Sequence, residues 1–150
     1  MNKFVLLFTF TISASFCIAQ QKVTKQYLDS LSFSIDKDSS QLLNMIYDTA
    51  GLSKDSTVPF SIYRIKQKAG QISKLERDGQ GQCKVHMEYY FVDKSIFKVI
   101  AKMSCSGTNT WDSIIYYDNG ISFDQVAKGN LLYGPWFKQE ADDLLKKFAQ

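Results

Sequence analysis

The chain has 150 residues, 45% hydrophobic and 14% aromatic, with 18 basic side chains against 15 acidic, one histidine and three cysteines. The basic residues are scattered along the sequence, which removes the electrostatic case for nucleic-acid binding.

Met1 to Ala19 reads as a signal peptide. Lys3 precedes an apolar run from Phe4 to Phe10, a Ser-rich shoulder follows, and Cys17-Ile18-Ala19 forms a small-x-small cleavage site. Thr9, Thr11, Ser13 and Ser15 interrupt the apolar run, so a retained membrane anchor fits less well. Lipid attachment at Cys17 would want a small residue before it, and Phe16 is bulky. The expectation is therefore an exported protein, periplasmic or extracellular, with no stable membrane span after cleavage. Residues 20–150 then form a single domain, long enough to bury about two-thirds of its unfolded surface.

Between Gln20 and Ala50 the apolar residues Leu28, Leu31, Ile35, Leu42 and Met45 predict a helical stripe with a weak point at Asp38. Asp36 to Ser40 is rich in capping residues, which fits either one long helix or two helices meeting there. Gly51 ends the helical region, and Leu52 to Pro59 is polar enough to be a linker. Phe60–Lys68 and Ile72–Arg77 then read as a hairpin turning at Ala69-Gly70-Gln71, followed by a second turn over Asp78-Gly79-Gln80-Gly81.

Gln82 to Cys105 is the central hairpin. Cys83, Val85, Met87, Tyr89 and Phe91 alternate with Lys84, His86 and Glu88, and Phe97, Val99, Ala101, Met103 and Cys105 alternate with Lys98, Lys102 and Ser104. If both odd sets face one core, paired residue numbers have an even sum, and a three-residue loop of Asp93, Lys94 and Ser95 makes that sum 188. Phe91 then opposes Phe97, Tyr89 opposes Val99 and Met87 opposes Ala101. Cys83 meets Cys105, which predicts a disulfide in the oxidising compartment that export implies. On the other face the register sets Val92 against Ile96, Tyr90 against Lys98, Glu88 against Ile100 and His86 against Lys102.

A third hairpin joins Trp111–Tyr117 to Ile121–Val126 through Asn119-Gly120, whose residues tolerate the positive φ of a type I′ turn. From Gly134 the chain ends as an amphipathic helix, with Phe137, Ala141, Leu144, Leu145 and Phe148 on one stripe. The fold class is α+β: an antiparallel meander of about six strands with an N-terminal helical segment and a C-terminal amphipathic helix.

Tyr89-Tyr90 and Tyr116-Tyr117-Asp118-Asn119-Gly120 resemble the Tyr-Tyr-x-x-Gly hairpins recurrent in small exported bacterial proteins of uncharacterised function, and more loosely the hairpins of MORN-like proteins. The resemblance covers about 40 residues and implies a fold style; no activity transfers with it. The Tyr pairs have no third copy, so a full repeat array is not expected.

Chemistry-bearing motifs are few. His86 and Glu88 stand side by side on a strand face, yet a zinc site needs three or four protein ligands. No G-x-S-x-G elbow occurs, and Gly79-Gln80-Gly81 lacks the helix and third glycine of a phosphate loop. No metal or cofactor is expected, and no catalytic residue is assigned. A solvated strand face rarely carries Tyr90, Val92, Ile96 and Ile100 together, so this face is expected to be covered by a helix or by a partner. In the second case the binding residues are Tyr90 as anchor, with His86, Glu88, Lys98, Ile100 and Lys102 around it. The function expected is that of a small exported, non-enzymatic binding or accessory protein acting through its sheet surface on an unidentified protein or envelope ligand. Two alternatives stand beside it. One is a small secreted hydrolase with a loop-edge site near His86, marked by a concave pocket around that residue. The other is a periplasmic inhibitor or immunity-type protein, which differs from the first reading in its partner.

Overall fold

The computed structural model describes residues 23–39, 42–48, 60–81, 83–105, 110–129 and 134–148. The expected signal peptide and the 52–59 linker lie outside them. Helix α1 (Lys25–Lys37) begins where Thr24 Oγ1 accepts a hydrogen bond from the Tyr27 amide at 3.3 Å, the arrangement that satisfies an otherwise orphaned first-turn N–H. It ends at Asp38, whose amide donates to Ser34 O. Strands β1 (Leu42–Asp48), β2 (Phe60–Lys68), β3 (Gln71–Gln80), β4 (Cys83–Val92), β5 (Ser95–Cys105), β6 (Thr110–Asp118) and β7 (Ile121–Lys128) each pair with their sequence neighbours in one antiparallel sheet. Helix α2 (Gly134–Phe148) closes the chain. The architecture is the expected α+β meander, with seven strands in place of about six.

The extra strand is β1, over residues expected to be helical. Leu42 and Met45 fit a helical spacing, but Asp38 stops the helix and the β-formers Ile46 and Tyr47 favour extension. As an edge strand paired, among the described residues, to β2 alone, β1 leaves Met45 and Ile46 exposed. Both arrangements the sequence allowed, one long helix and two helices meeting at Asp36 to Ser40, are therefore excluded.

Three hairpins share one construction. Ala69-Gly70, Asp93-Lys94 and Asn119-Gly120 are two-residue turns with positive φ at both positions, the type I′ geometry whose twist matches that of the flanking strands. Each return strand then carries one bulge residue that the register skips, Ser73, Phe97 or Phe123. The first hairpin thus repeats the geometry of the two Tyr-Tyr hairpins without their tyrosines.

The bulge also corrects the central loop. Val92 pairs with Ser95 and Phe91 with Ile96, so the turn has two residues, and the expected Phe91–Phe97 and Val92–Ile96 pairs do not form. Phe97 supplies the missing residue of register. From Tyr90–Lys98 to Cys83–Cys105 every pair sums to 188 as expected, and the two cysteines form a disulfide with Cα atoms 4.1 Å apart. The switch sends Ile96 to one face and Phe97 to the other, and both are buried.

One helix covers each face. On the α2 side, Tyr63, Ile65, Leu75, Tyr89, Val99, Ile115 and Tyr117 pack beneath Phe137, Ala141 and Leu144, each fully buried aliphatic or aromatic side chain contributing roughly 1.5–3 kcal/mol. Tyr89 Oη donates to Glu140 Oε2 at 2.6 Å, Arg77 pairs with the same carboxylate, and Tyr117 Oη donates to Gly134 O at 2.7 Å. On the other side Leu28 and Ile35 of α1 pack on Tyr90, Phe97 and Tyr116. This second core is smaller, and polar contacts complete the docking.

Candidate functional site

The register lays out the α1 face as rows running across the strands. The row beneath α1 reads Lys66, Lys74, Tyr90, Lys98, Tyr116 and Asp124 from β2 to β7. On the helix, Asp29, Ser32 and Asp36 recur at the spacing that faces this row. Lys98 Nζ reaches Asp29 Oδ1 at 2.8 Å and Ser32 Oγ at 2.9 Å, while Lys74 Nζ reaches Asp36 Oδ1 at 2.8 Å. Both lysine side chains are buried, and both ammonium groups lie over the Tyr90 ring, at 4.9 Å for Lys74 and 5.7 Å for Lys98. Lys66 Nζ bonds the carbonyls of Ile35 and Asp36, placing a cation at the negative end of the helix. Helix α1 is therefore fixed by charge as much as by apolar contact.

One row further along, Glu88 joins this docking site to the open part of the face. Its Oε2 accepts from Tyr90 Oη at 2.6 Å and from Lys74 Nζ at 2.6 Å, and its Oε1 lies 3.1 Å from His86 Nε2. Burial alone would raise the Glu88 pKa, but the Lys74 ammonium and the Tyr90 hydroxyl outweigh it and bring the carboxyl down to about 2. Lys74 sits among Asp36, Glu76 and Glu88, and these hydrogen bonds overcome its burial to hold it well above the usual lysine range.

His86 lies on the next row, with Nδ1 2.7 Å from Asp78 Oδ1 and Nε2 facing Glu88. Partial burial works to lower its pKa, and hydrogen bonds to the two carboxylates reverse this, so the net shift is upward. With an acceptor at each ring nitrogen the imidazolium satisfies both sites, whereas a neutral tautomer satisfies one. Arg64 pairs with Asp78 from β2, and together with His86 it keeps that carboxyl below its ordinary value against the opposing effect of burial.

Past His86 the face is no longer under α1. A groove of about 660 Å³ opens over the ends of β2 to β7, lined by Arg64, Asp78, Lys84, His86, Lys102, Asp112 and Lys128 with Ser104 and Thr110. Five basic side chains stand there against two acidic ones, and Lys84, Lys102 and Lys128 are exposed. The Cys83–Cys105 disulfide ties β4 to β5 at the groove's end, next to the Lys84–Ser104 pair. No family model, curated protein or solved structure matches this chain. The site is accordingly described by its own geometry.

The residues expected to form one binding patch are divided by α1. Tyr90 and Lys98 are buried under the helix, so Tyr90 is a core residue of this face and not an exposed anchor. Ile100 packs against the same cluster and Glu88 is held inside the charge network. His86 and Lys102 alone of the six reach the groove. Of the two coverings expected for the face, a helix of the same chain supplies one, and it stops short of the last rows. Arg64, Asp78, Lys84, Asp112 and Lys128 were not singled out from sequence. The sequence places Asp78 in a turn, but β3 continues to Gln80 and delivers it to His86. Carrying the period of two through β3 would have found it. On the α2 side a separate apolar cavity of about 380 Å³ lies between Met87, Ala101, Met103, Trp111, Trp136 and Phe137.

Among the described residues no group of three or more His, Cys, Asp or Glu side chains could hold a metal ion, and no helix is long and apolar enough to cross a membrane.

Proposed function

We propose that this chain is a small exported binding protein that takes an anionic partner in the groove beside α1. The observation carrying this reading is the surplus of basic side chains lining an open concave face, with His86, whose pKa the Asp78 and Glu88 carboxylates raise, at its floor and Lys84 and Lys102 at its rim. The charge network beneath α1 gives that face a fixed shape, so little ordering accompanies binding. Inhibitor or immunity-type action is the same reading with a particular partner, an acidic surface on the protein it silences.

The hydrolase alternative has the position of His86 in a groove in its favour. Its chemistry is less well served, because a general base needs an unprotonated ring nitrogen and both nitrogens of His86 face carboxylates. Capture from the native envelope fraction tests the binding reading. The wild-type protein should retain a stoichiometric partner whose yield falls as salt rises, and Lys84→Glu with Lys102→Glu should weaken retention at least tenfold. Equal capture by both proteins would count against the groove as the binding surface.

A further inference from the structure

Strand β7 is the last of the sheet, and among the described residues none pairs with its outer edge. It also carries a concentration of exposed apolar side chains, with Ile121 72%, Phe123 45% and Val126 46% exposed. Such an edge is a template for another strand unless bulges or charges blunt it. Here the bulge lies at Phe123, next to the turn, and leaves Asp124 to Lys128 in regular extended pairing with β6.

We propose that this edge pairs antiparallel with β7 of a second copy of the chain, across a two-fold axis at Val126. Asp124, Val126 and Lys128 share the α1 face, since their partners on β6 are Tyr116, Ile114 and Asp112. Centring the pair on Val126 sets Val126 against Val126 of the second copy and Asp124 against its Lys128, and the symmetry makes that ion pair twice. On the opposite face Gln125 meets Ala127. A slip by two residues sets Val126 against Asp124 or against Lys128, and a slip by four sets one of the charges against itself, so the charges select the register. The axis stands perpendicular to the sheet, which keeps both α1 faces on the same side. The pairing shares Lys128 with the groove lining but needs no ligand, so association of the purified protein tests it separately from the groove reading.

Sedimentation velocity on the purified native protein tests the proposal through exchanged charges. Wild-type protein should show a reversible, concentration-dependent dimer. Asp124→Lys alone and Lys128→Asp alone each place like charges opposite one another and should weaken association at least tenfold. Mixed in equal amounts, the two variants present complementary charges and should form a heterodimer. Wild-type protein that stays monomeric at every concentration overturns the proposal, and so does a mixture no more associated than its parts. Hydrogen exchange on the wild type gives a reading independent of the variants' folding: protection of the β7 amides must rise with protein concentration, and protection that does not change overturns the proposal.

Discussion

Glu88→Gln isolates the charge at the centre of the α1 face with almost no change of shape. The carboxylate holds Lys74 and Tyr90 at 2.6 Å each and His86 at 3.1 Å, and its pKa falls from 4.5 to about 2. At about 1.4 kcal/mol per unit, the fall represents roughly 3 kcal/mol of stability at neutral pH. Because the folded pKa lies below the unfolded one, this contribution is complete above pH 4.5 and vanishes as pH falls toward 2. The variant should therefore melt about 10 °C below wild type at pH 6, since about 3–5 °C accompanies each kcal/mol in a domain of this size, and the gap should close near pH 2. Thermal unfolding followed by circular dichroism from pH 2 to 7 measures it. A deficit of the same size at both ends, or none at pH 6, would refute the assignment of Glu88 as the hub.

His86 should behave with the opposite sign. Its folded pKa is raised, so its contribution is complete below pH 6.5 and is lost as pH rises through the folded value; an NMR titration should place that value above 6.5 in wild type and lower in Asp78→Asn. Tyr90→Ala removes a ring that is 1% exposed and should cost about 3–5 kcal/mol in chemical denaturation, against about 1–2 for Tyr90→Phe, which loses the hydroxyl bonds to Glu88 and Asp36. Equal losses from the two variants would show that the ring itself is dispensable. Reducing the Cys83–Cys105 disulfide, whose cysteines are 22 residues apart, should lower stability by about 3 kcal/mol by the chain-entropy relation. Intact mass under non-reducing conditions should show both thiols consumed.

The sheet was legible because its side-chain period is strict. Even the wrong loop length led to the right register, since a two-residue turn followed by the Phe97 bulge advances the pairing as a three-residue loop would. Local alternation does not reveal where a bulge sits, so Ile96 and Phe97 exchanged faces. Strand β1 was hidden because an edge strand needs little burial and its apolar spacing imitates a helix. The groove was harder still. Its boundary is set by where α1 ends its crossing of the sheet, which follows from Asp29 and Asp36 finding Lys98 and Lys74 more than 35 residues away. Such long-range ion pairs leave no periodic signal, and the acidic residues of α1 read as an ordinary solvated helix face until the lysines beneath them are seen.

On the proposed function, the uncovered part of the α1 face, beyond Glu88, receives an anionic partner. Titrating the captured partner into isotope-labelled protein and following backbone amide and His86 ring resonances tests it most directly. Shifts are expected at Lys84, His86, Lys102 and Asp112, weakening with added salt, with Phe137, Ala141 and Leu144 of α2 unmoved. Shifts centred on α2 or on the Met87–Trp136 cavity, with the His86 ring unchanged, would contradict it.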